Sequence, residues 1–278
     1  MGMSDTRPLP QPDASPGGDE PSDGQLKPSR PVSRRRRWLK RAAVTLGVVV
    51  ALLAIGVGSL WIATPSANEA VKLAAEQAAA HGIPYPGPPP PANFTRPLIA
   101  TEDHRFYSEP GVDTLAVGRV VWSKLTNGSD QGGATIEQQL AKMLYTPGQA
   151  GFVTDVKQIV LAVKLNAAYS KQQILALYAE VAYYGHGYYG LEQASCGYFG
   201  HAASELTVVQ GAMLAGVVNA PSLDDPISDP ARARARARLE HVIARMVAVG
   251  YLTPVQGRQE LAAPLGIAPR GQAGGAGC

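Results

Sequence analysis

The sequence is poor in the residues that build metal sites and disulfide frameworks. It has two cysteines, Cys196 and Cys278, and five histidines without metal-ligand spacing. Two cysteines so placed predict neither a disulfide framework nor a zinc site. Cys196 stands in an apolar segment and is interpreted as a small buried residue. The histidines are expected to be exposed or hydrogen-bonded side chains without a metal.

The chain also lacks the alternating apolar and polar runs that predict β-strands. Helical spacing occurs instead, at Ile136, Leu140, Met143 and Leu144 and again at Val156, Ile159, Val160 and Val163. Ser170 is a candidate N-cap for the helix that follows it. The Arg-Ala alternation from Arg232 to Arg238 could mimic a strand, but both residue types are strong helix formers. We therefore predict an all-α protein.

Net charge is small, at +3, but a basic run of four arginines followed by Lys40 and Arg41 lies near the start. Alone, this run would suit nucleic acid or a membrane surface. It is followed by about 22 uncharged residues from Ala42 to Ala63, or about 33 Å of helix, which is enough to cross a bilayer. Basic residues on one side only predict a cytoplasmic N-terminus and an external C-terminal part, with no nucleic-acid partner. A cleaved signal peptide is the alternative, although its apolar region should be shorter and start earlier.

Composition divides the chain into five segments. Residues 1–37 form a polar, proline-rich and basic tail that is expected to be disordered, and 38–63 form the membrane helix. Residues 64–94 hold a short helix and then a proline-rich stretch that predicts a stiff spacer. A helical domain is expected over 95–263, with a mobile tail over 264–278.

Five stretches of this domain resemble, in order, the motifs of glycosyltransferase family 51, the peptidoglycan polymerase of penicillin-binding proteins and of monofunctional wall glycosyltransferases. The stretches are "ATEDHRFYSEPGVD" (motif E-D-x-x-F-x-x-H-x-G), "GGATIEQQLAKML" (G-x-[SA]-T-I-T-Q-Q), "SKQQILALYAE" (K-x-x-I-L-x-x-Y-L-N), "YYGHGYYGLEQASCGYFG" and "RLEHVI" (R-x-x-x-V-L). They run from about residue 95 to 255, after the apolar segment, as in the family.

The resemblance implies a lysozyme-like helical fold and a defined reaction. The family polymerises lipid II, a disaccharide-pentapeptide on a polyprenyl diphosphate, at the outer membrane face. The acceptor 4-hydroxyl attacks the anomeric carbon of a lipid-linked chain, and polyprenyl diphosphate leaves with inversion. Expected partners are lipid II, the lipid-linked glycan, the membrane and wall-synthesis proteins. No penicillin-reactive transpeptidase domain is expected after the motifs.

Residue roles follow from the same resemblance. Glu102 matches the general base, and apolar neighbours in the sequence would make its carboxylate a stronger base. Asp103 is interpreted as a supporting or a purely structural residue. Substrate contacts are expected from a larger set, namely Thr135, Gln138, Gln139, Lys142, Gln158 and Arg238. Helical spacing places Gln138, Gln139 and Lys142 on neighbouring positions of one helix. These side chains either bind the sugar and diphosphate of the substrate or form a solvated helix face. Arg238 could contact phosphate or form a structural pair.

Several residues depart from the family pattern. The third motif of the family, R-K-x-x-E, aligns with residues 154–158, where Gln158 replaces the Glu and cannot ionise. In the first, second and fourth motifs, Glu109, Glu137 and Glu180 replace His, Thr and Asn, respectively. The site would thus carry excess negative charge. Three hypotheses remain open. The first is an active enzyme with a rearranged site that uses Asp155 and Lys157, and the second is a silent relative that binds wall precursor or a partner protein. The third is a glycan hydrolase. Mg²⁺ or Mn²⁺ assists some family members, but no metal-ligand cluster is visible and no cofactor is assigned.

Overall fold

The computed structural model describes residues 32–112, 134–268 and 278. These residues form ten α-helices: α1 (Val32–Ala63), α2 (Ala70–Ala80), α3 (Ala92–Glu102), α4 (Ile136–Tyr145), α5 (Phe152–Ala168), α6 (Lys171–Val181), α7 (Leu191–Phe199), α8 (Val208–Val217), α9 (Asp229–Ala248) and α10 (Pro254–Ala262). No β-strand occurs within these ranges, so the all-α prediction is confirmed. The tail predicted to be disordered lies mostly outside the described residues.

Four helices begin with the same local device, a capping box. At the start of α4, α6, α8 and α10, a Ser or Thr side chain accepts from the third backbone N–H, and a Gln side chain accepts from the cap N–H. These bonds satisfy donors that a helix leaves unpaired at its first turn. The N-cap predicted at Ser170 is confirmed. The Arg-Ala segment lies within α9 and is helical, as predicted.

Helix α3 lies at the centre of the domain. It packs against α8 and α9, and its residues Phe94, Leu98 and Ile99 are buried with the apolar faces of α4 and α6. Gly211 of α8 permits the closest approach, because a Cβ there would collide with the backbone carbonyl of Asn93. Helix α4 packs against α5 and α6. The C-terminal end of α3 therefore meets the N-terminal end of α4.

The N-terminal helix α1 is the one helix in the described part of the chain that is long and apolar enough to cross a membrane. Its most apolar window has a mean hydropathy of 2.4 and none of it is buried in the protein. Large side chains such as Leu46, Leu52 and Ile55 are more than half exposed. The predicted apolar helix is thus present, with its side chains free to contact lipid.

The segment after α1 differs from the expected spacer. Ala70, Ala74 and Ala78 on one face of α2 are buried, and the first two share the core cluster of Phe94. In the proline-rich stretch, the N–H of Gly87 donates to Oε1 of Glu180 on α6, at 2.6 Å. Alanines at helical spacing allow one face of α2 to be buried. The proline-rich stretch lies along the domain and does not act as a spacer that holds the domain away from the membrane.

A disulfide joins Cys196 of α7 to Cys278, 82 residues later. The sequence predicted no disulfide framework, and this single bond was not anticipated; Cys196 is buried as interpreted. The pairing depends on the path by which the chain returns to α7, which spacing in the sequence does not encode.

Cys278→Ser is expected to lower the free energy of unfolding by about 2–4 kcal/mol, because the disulfide restrains a long loop of the unfolded chain. For a domain of this size, that corresponds to a decrease in Tm of roughly 4–16 °C. Thermal unfolding of both proteins with and without reductant measures it. Reductant should lower the Tm of the wild-type protein only, and an equal Tm for both proteins in oxidising buffer would contradict the role of the bridge.

Candidate active site

Glu102 is the last residue of α3, and its side chain is only 9% exposed. Three donors surround the carboxylate. Arg238 Nη2 of α9 lies 2.7 Å from Oε1, while Gln139 Nε2 of α4 and Asn219 Nδ2 lie 3.0 Å and 3.4 Å from Oε2. The carboxylate is thus held by polar groups from three parts of the chain, and not by the apolar neighbours that its sequence context suggested.

Tyr178 of α6 orients the amide of Gln139. Its hydroxyl donates to Gln139 Oε1 at 2.8 Å, so the amide nitrogen is directed at Glu102. Tyr178 is fully buried, and burial together with the charge of Glu102 raises the pKa of its hydroxyl. The hydroxyl therefore stays protonated and serves as a fixed donor.

This geometry leaves Glu102 able to accept a proton. A carboxylate has about four lone-pair positions, and the described side chains use three of them. One position remains for a hydroxyl of a substrate. Because the carboxylate is already oriented, little reorganisation is needed before proton transfer.

Asp103 connects the end of α3 to the start of α4. Its Oδ2 accepts from the backbone N–H of Ile136 at 3.3 Å, which satisfies an unpaired donor of the first turn of α4. Asp103 is buried, and burial is the main cause that raises its pKa to about 7. The carboxylates of Glu137 and Glu109 raise it further, whereas the Ile136 N–H and Lys171 lower it. This contact holds Glu102 beside the helix that carries Gln139.

Asp103 should make the protein less stable as pH rises from about 4 to about 7. Its carboxyl has an ordinary pKa of 3.8 and a folded-state pKa of about 7, so the folded chain binds more protons in this interval. The stabilising contribution is complete below the ordinary pKa and is lost as pH passes the folded value. Melting temperatures between pH 4 and pH 8 should fall less steeply for Asp103→Asn than for the wild-type protein. Parallel profiles would show that other groups control this slope.

The other predicted site residues differ in whether they contact Glu102. Thr135 and Gln138 form the capping box of α4, with Thr135 Oγ1 also donating to the carbonyl of Gly111. Lys142 is exposed on α4, one turn after Gln139, and makes no ion pair with the described residues. Gln158 Nε2 donates to Thr146 Oγ1 at 2.9 Å, at the end of α4. Gln139 and Arg238 therefore contact Glu102 directly, whereas Thr135 and Gln138 shape the helix beside it.

The acids that depart from the family pattern have local partners. Glu137 is 1% exposed and lies 2.6 Å from Lys171 Nζ of α6. Glu109 pairs with Arg105 at 2.6 Å, and its carbonyl also accepts from Lys171. Glu180 binds the N–H of Gly87. The excess negative charge expected from the sequence is thus largely paired, because each carboxylate meets a cation or a backbone donor.

The side chains around Glu102 do not fit a divalent cation. Mg²⁺ and Mn²⁺ prefer carboxylate and carbonyl oxygens, but Glu102 faces the guanidinium of Arg238 and the amide nitrogens of Gln139 and Asn219. A positive charge at 2.7 Å would repel a metal from the same oxygen. No group of three metal-binding residues occurs over the described ranges. We therefore assign no step to a metal.

Sequence reasoning did not single out Tyr178 and Asn219. Tyr178 belongs to the K-x-x-I-L-x-x-Y stretch, so the family motif marks its position but not its contact with Gln139. Asn219 follows α8, and no motif used above includes it. Its contact with Glu102 spans 117 residues of sequence and arises only when α8 packs against α3.

Comparisons with known proteins identify the family of this chain. A family model described as Transglycosylase matches residues 77–247. The chain is 37% identical to penicillin-binding protein 1F of Bacillus subtilis over 164 residues, which are 59% of this chain and 23% of that protein. It is 37% identical to penicillin-binding protein 1A of Mycobacterium tuberculosis over 168 residues, 59% of this chain and 20% of the relative.

A shorter relative, H16_A0665 of Cupriavidus necator, is 34% identical over 163 residues, which cover 59% of this chain and 70% of that protein. The aligned part of the chain thus spans less than a quarter of the two penicillin-binding proteins. The family match covers well over half of the chain and includes the residues that surround Glu102. The chain belongs to the transglycosylase family.

Proposed function

We propose that this chain is a peptidoglycan glycosyltransferase that polymerises lipid II into β-1,4-linked glycan, with inversion. The observation that carries the proposal is the setting of Glu102, a carboxylate held by Arg238, Gln139 and Asn219 with one acceptor position left. The family match provides the reaction class, and this geometry provides a group for its proton transfer.

In the proposed step, Glu102 takes the proton from the 4-hydroxyl of the acceptor sugar. The oxygen then forms a bond to the anomeric carbon of the lipid-linked donor, while the bond from that carbon to the diphosphate oxygen breaks. Polyprenyl diphosphate leaves with the electron pair, and the proton remains on Glu102 until solvent removes it. Attack opposite the leaving group inverts the anomeric centre.

Charge on the departing diphosphate needs cations, and two lie nearby. Lys142 is exposed one turn beyond Gln139 and offers an ammonium without a partner among the described residues. Arg238 is paired with Glu102 at 2.7 Å in the resting site. Protonation of Glu102 removes that counter-charge, so the guanidinium becomes available to the leaving group as its charge develops.

We infer further that the N-terminus is cytoplasmic and that the domain acts at the outer membrane face, with lipid II and wall-synthesis proteins as partners. The basic residues in the first turns of α1 and their absence directly after its end support this orientation. The disulfide between Cys196 and Cys278 adds independent support, because such bonds persist in oxidising compartments.

A second candidate function is binding of lipid-linked precursor without polymerisation. Gln158 favours it, since this residue stands where the family has a second Glu and its amide contacts Thr146. Glutamine cannot replace a carboxylate that must ionise. The two candidates differ only in whether product forms.

Detergent-solubilised full-length protein with labelled lipid II separates these functions. A ladder of glycan chains on a gel is the result expected of the polymerase. Retention of lipid II by the protein without a ladder would favour the binding function, and shortening of pre-formed glycan would favour hydrolysis. Each of these two results would contradict the proposed polymerase.

A further inference from the structure

The end of α1 is bound by a lysine that lies a hundred residues later. Lys164 Nζ of α5 donates to the carbonyl oxygens of Trp61 and Thr64 at 2.7 Å and 2.9 Å and to the Thr64 hydroxyl at 2.8 Å. The carbonyl of Pro65 lies 3.2 Å away. The last carbonyls of a helix have no partner within it and carry the negative end of its dipole. An ammonium is therefore well suited to this position.

Two tyrosines bind the next residues. The hydroxyl of Tyr145, at the end of α4, donates to the carbonyls of Ser66 and Ala67 at 3.0 Å and 3.1 Å. Tyr169, directly after α5, donates to the Ala67 carbonyl at 3.1 Å. Burial raises the pKa of both hydroxyls, which keeps them protonated as donors. We call Lys164, Tyr145 and Tyr169 the exit clamp.

No free linker separates the end of α1 from the domain. Thr64 and Ala67 are each 6% exposed and Ala70 is fully buried. Lys164 also lies 5.2 Å from the ring centre of Trp61, a cation–π contact. The chain thus passes from an apolar helix into the core within a few residues, and the exit clamp satisfies its backbone on the way.

The exit clamp and the candidate active site share two helices. Tyr145 ends α4, which carries Gln139 and Lys142, and Lys164 lies on α5 with Gln158. A helix transmits position along its length because its backbone is hydrogen-bonded throughout. The exit clamp, which holds the end of α1 to these helices, therefore also sets the position of Lys142 relative to the end of α1.

We propose that the exit clamp positions the site for a substrate that is itself confined to the bilayer, with Lys164 as its main positioning residue. The inference rests on the function proposed above. When enzyme and lipid-linked substrate are held on one surface, their effective concentration depends on whether the geometry allows them to meet. A loose exit would let the site sample unproductive heights and tilts over the membrane. A micelle imposes no flat surface, so the same looseness should matter less there.

The test compares full-length wild-type, Lys164→Met and Lys164→Arg proteins in lipid II-containing vesicles and in detergent micelles. Lys164→Met should lose about tenfold of the vesicle rate and keep the micelle rate within about threefold, since only the membrane-bound geometry is relaxed. Lys164→Arg keeps the cation and its donors and should retain most of the vesicle rate. Hydrogen exchange over residues 61–70 should accelerate in Lys164→Met, which verifies that the clamp is open.

An unchanged vesicle rate in Lys164→Met with faster exchange would overturn the positioning role. An equal loss in vesicles and micelles would also overturn it, because it would show a general effect on the fold. If Lys164→Met does not fold, Tyr169→Phe removes one donor from the clamp without changing its shape and should show the same vesicle-specific loss, reduced in size. A wild-type protein that makes no glycan in either medium is a distinct result, and it refutes the proposed function itself.

Discussion

Glu102→Gln should lower the rate of glycan formation by about 10²–10⁴-fold, the usual contribution of a positioned general base. Glutamine preserves the size of the side chain, and its carbonyl oxygen can take the position of Oε1 and accept from Arg238. Its amide nitrogen then replaces Oε2, the oxygen that Gln139 and Asn219 contact. It cannot take the proton of the attacking hydroxyl. The expected loss is therefore in turnover, with lipid II binding retained. Initial rates of ladder formation and equilibrium binding of labelled lipid II measure the two effects separately.

Glu240→Gln is a matched control for this substitution. Glu240 is an exposed residue of α9, the helix of Arg238, and it pairs with Arg236 at the surface. Exposed pairs contribute little to stability, so this variant should behave as the wild-type protein. A Glu102→Gln protein that polymerises at the wild-type rate would show that another group accepts the proton.

Lys171→Met is expected to lower the free energy of unfolding by about 3–5 kcal/mol, because it leaves a buried carboxylate without its cation. Glu137 is 1% exposed and its Oε1 lies 2.6 Å from Lys171 Nζ. Lys171 also contacts the carbonyl of Glu109 and the ring of Phe106 at 4.5 Å, so Met retains part of the apolar packing. Chemical denaturation of the two proteins gives the difference.

The double variant Glu137→Gln, Lys171→Met separates charge from packing. With neither charge present, the penalty of an unpaired buried ion disappears and most of the lost stability should return. If the double variant is as unstable as Lys171→Met, the loss comes from packing, and the pairing of Glu137 with Lys171 does not explain why an acid is tolerated there.

Much of the fold was predictable because its signals are local. Apolar residues at helical spacing predicted α4 and α5, and Ser170 predicted the start of α6. The order of the family motifs predicted Glu102, Gln139 and Arg238 as site residues, but it did not predict that they contact one another. Gln139 and Arg238 are 37 and 136 positions from Glu102 in the sequence. Their contacts with it arise because the end of α3 meets the start of α4 and because α3 packs against α9.

The features that sequence reasoning missed depend on tertiary contacts. Glu137 and Glu180 have partners that are distant in the sequence, Lys171 and Gly87, so these acids looked like excess charge until the fold paired them. The disulfide and the burial of α2 have the same origin. Composition shows which residues can be buried or bonded, but the path of the chain decides which of them meet.

The most direct test of the central claim is the stoichiometry of the reaction catalysed by the full-length protein. Labelled lipid II is converted while released polyprenyl diphosphate, new β-1,4 bonds and reducing sugar ends are counted in the same samples. The account predicts one polyprenyl diphosphate for each new glycosidic bond, with no growth of reducing ends and with both products lost in Glu102→Gln. Diphosphate release without bond formation, or reducing ends without diphosphate, would contradict it.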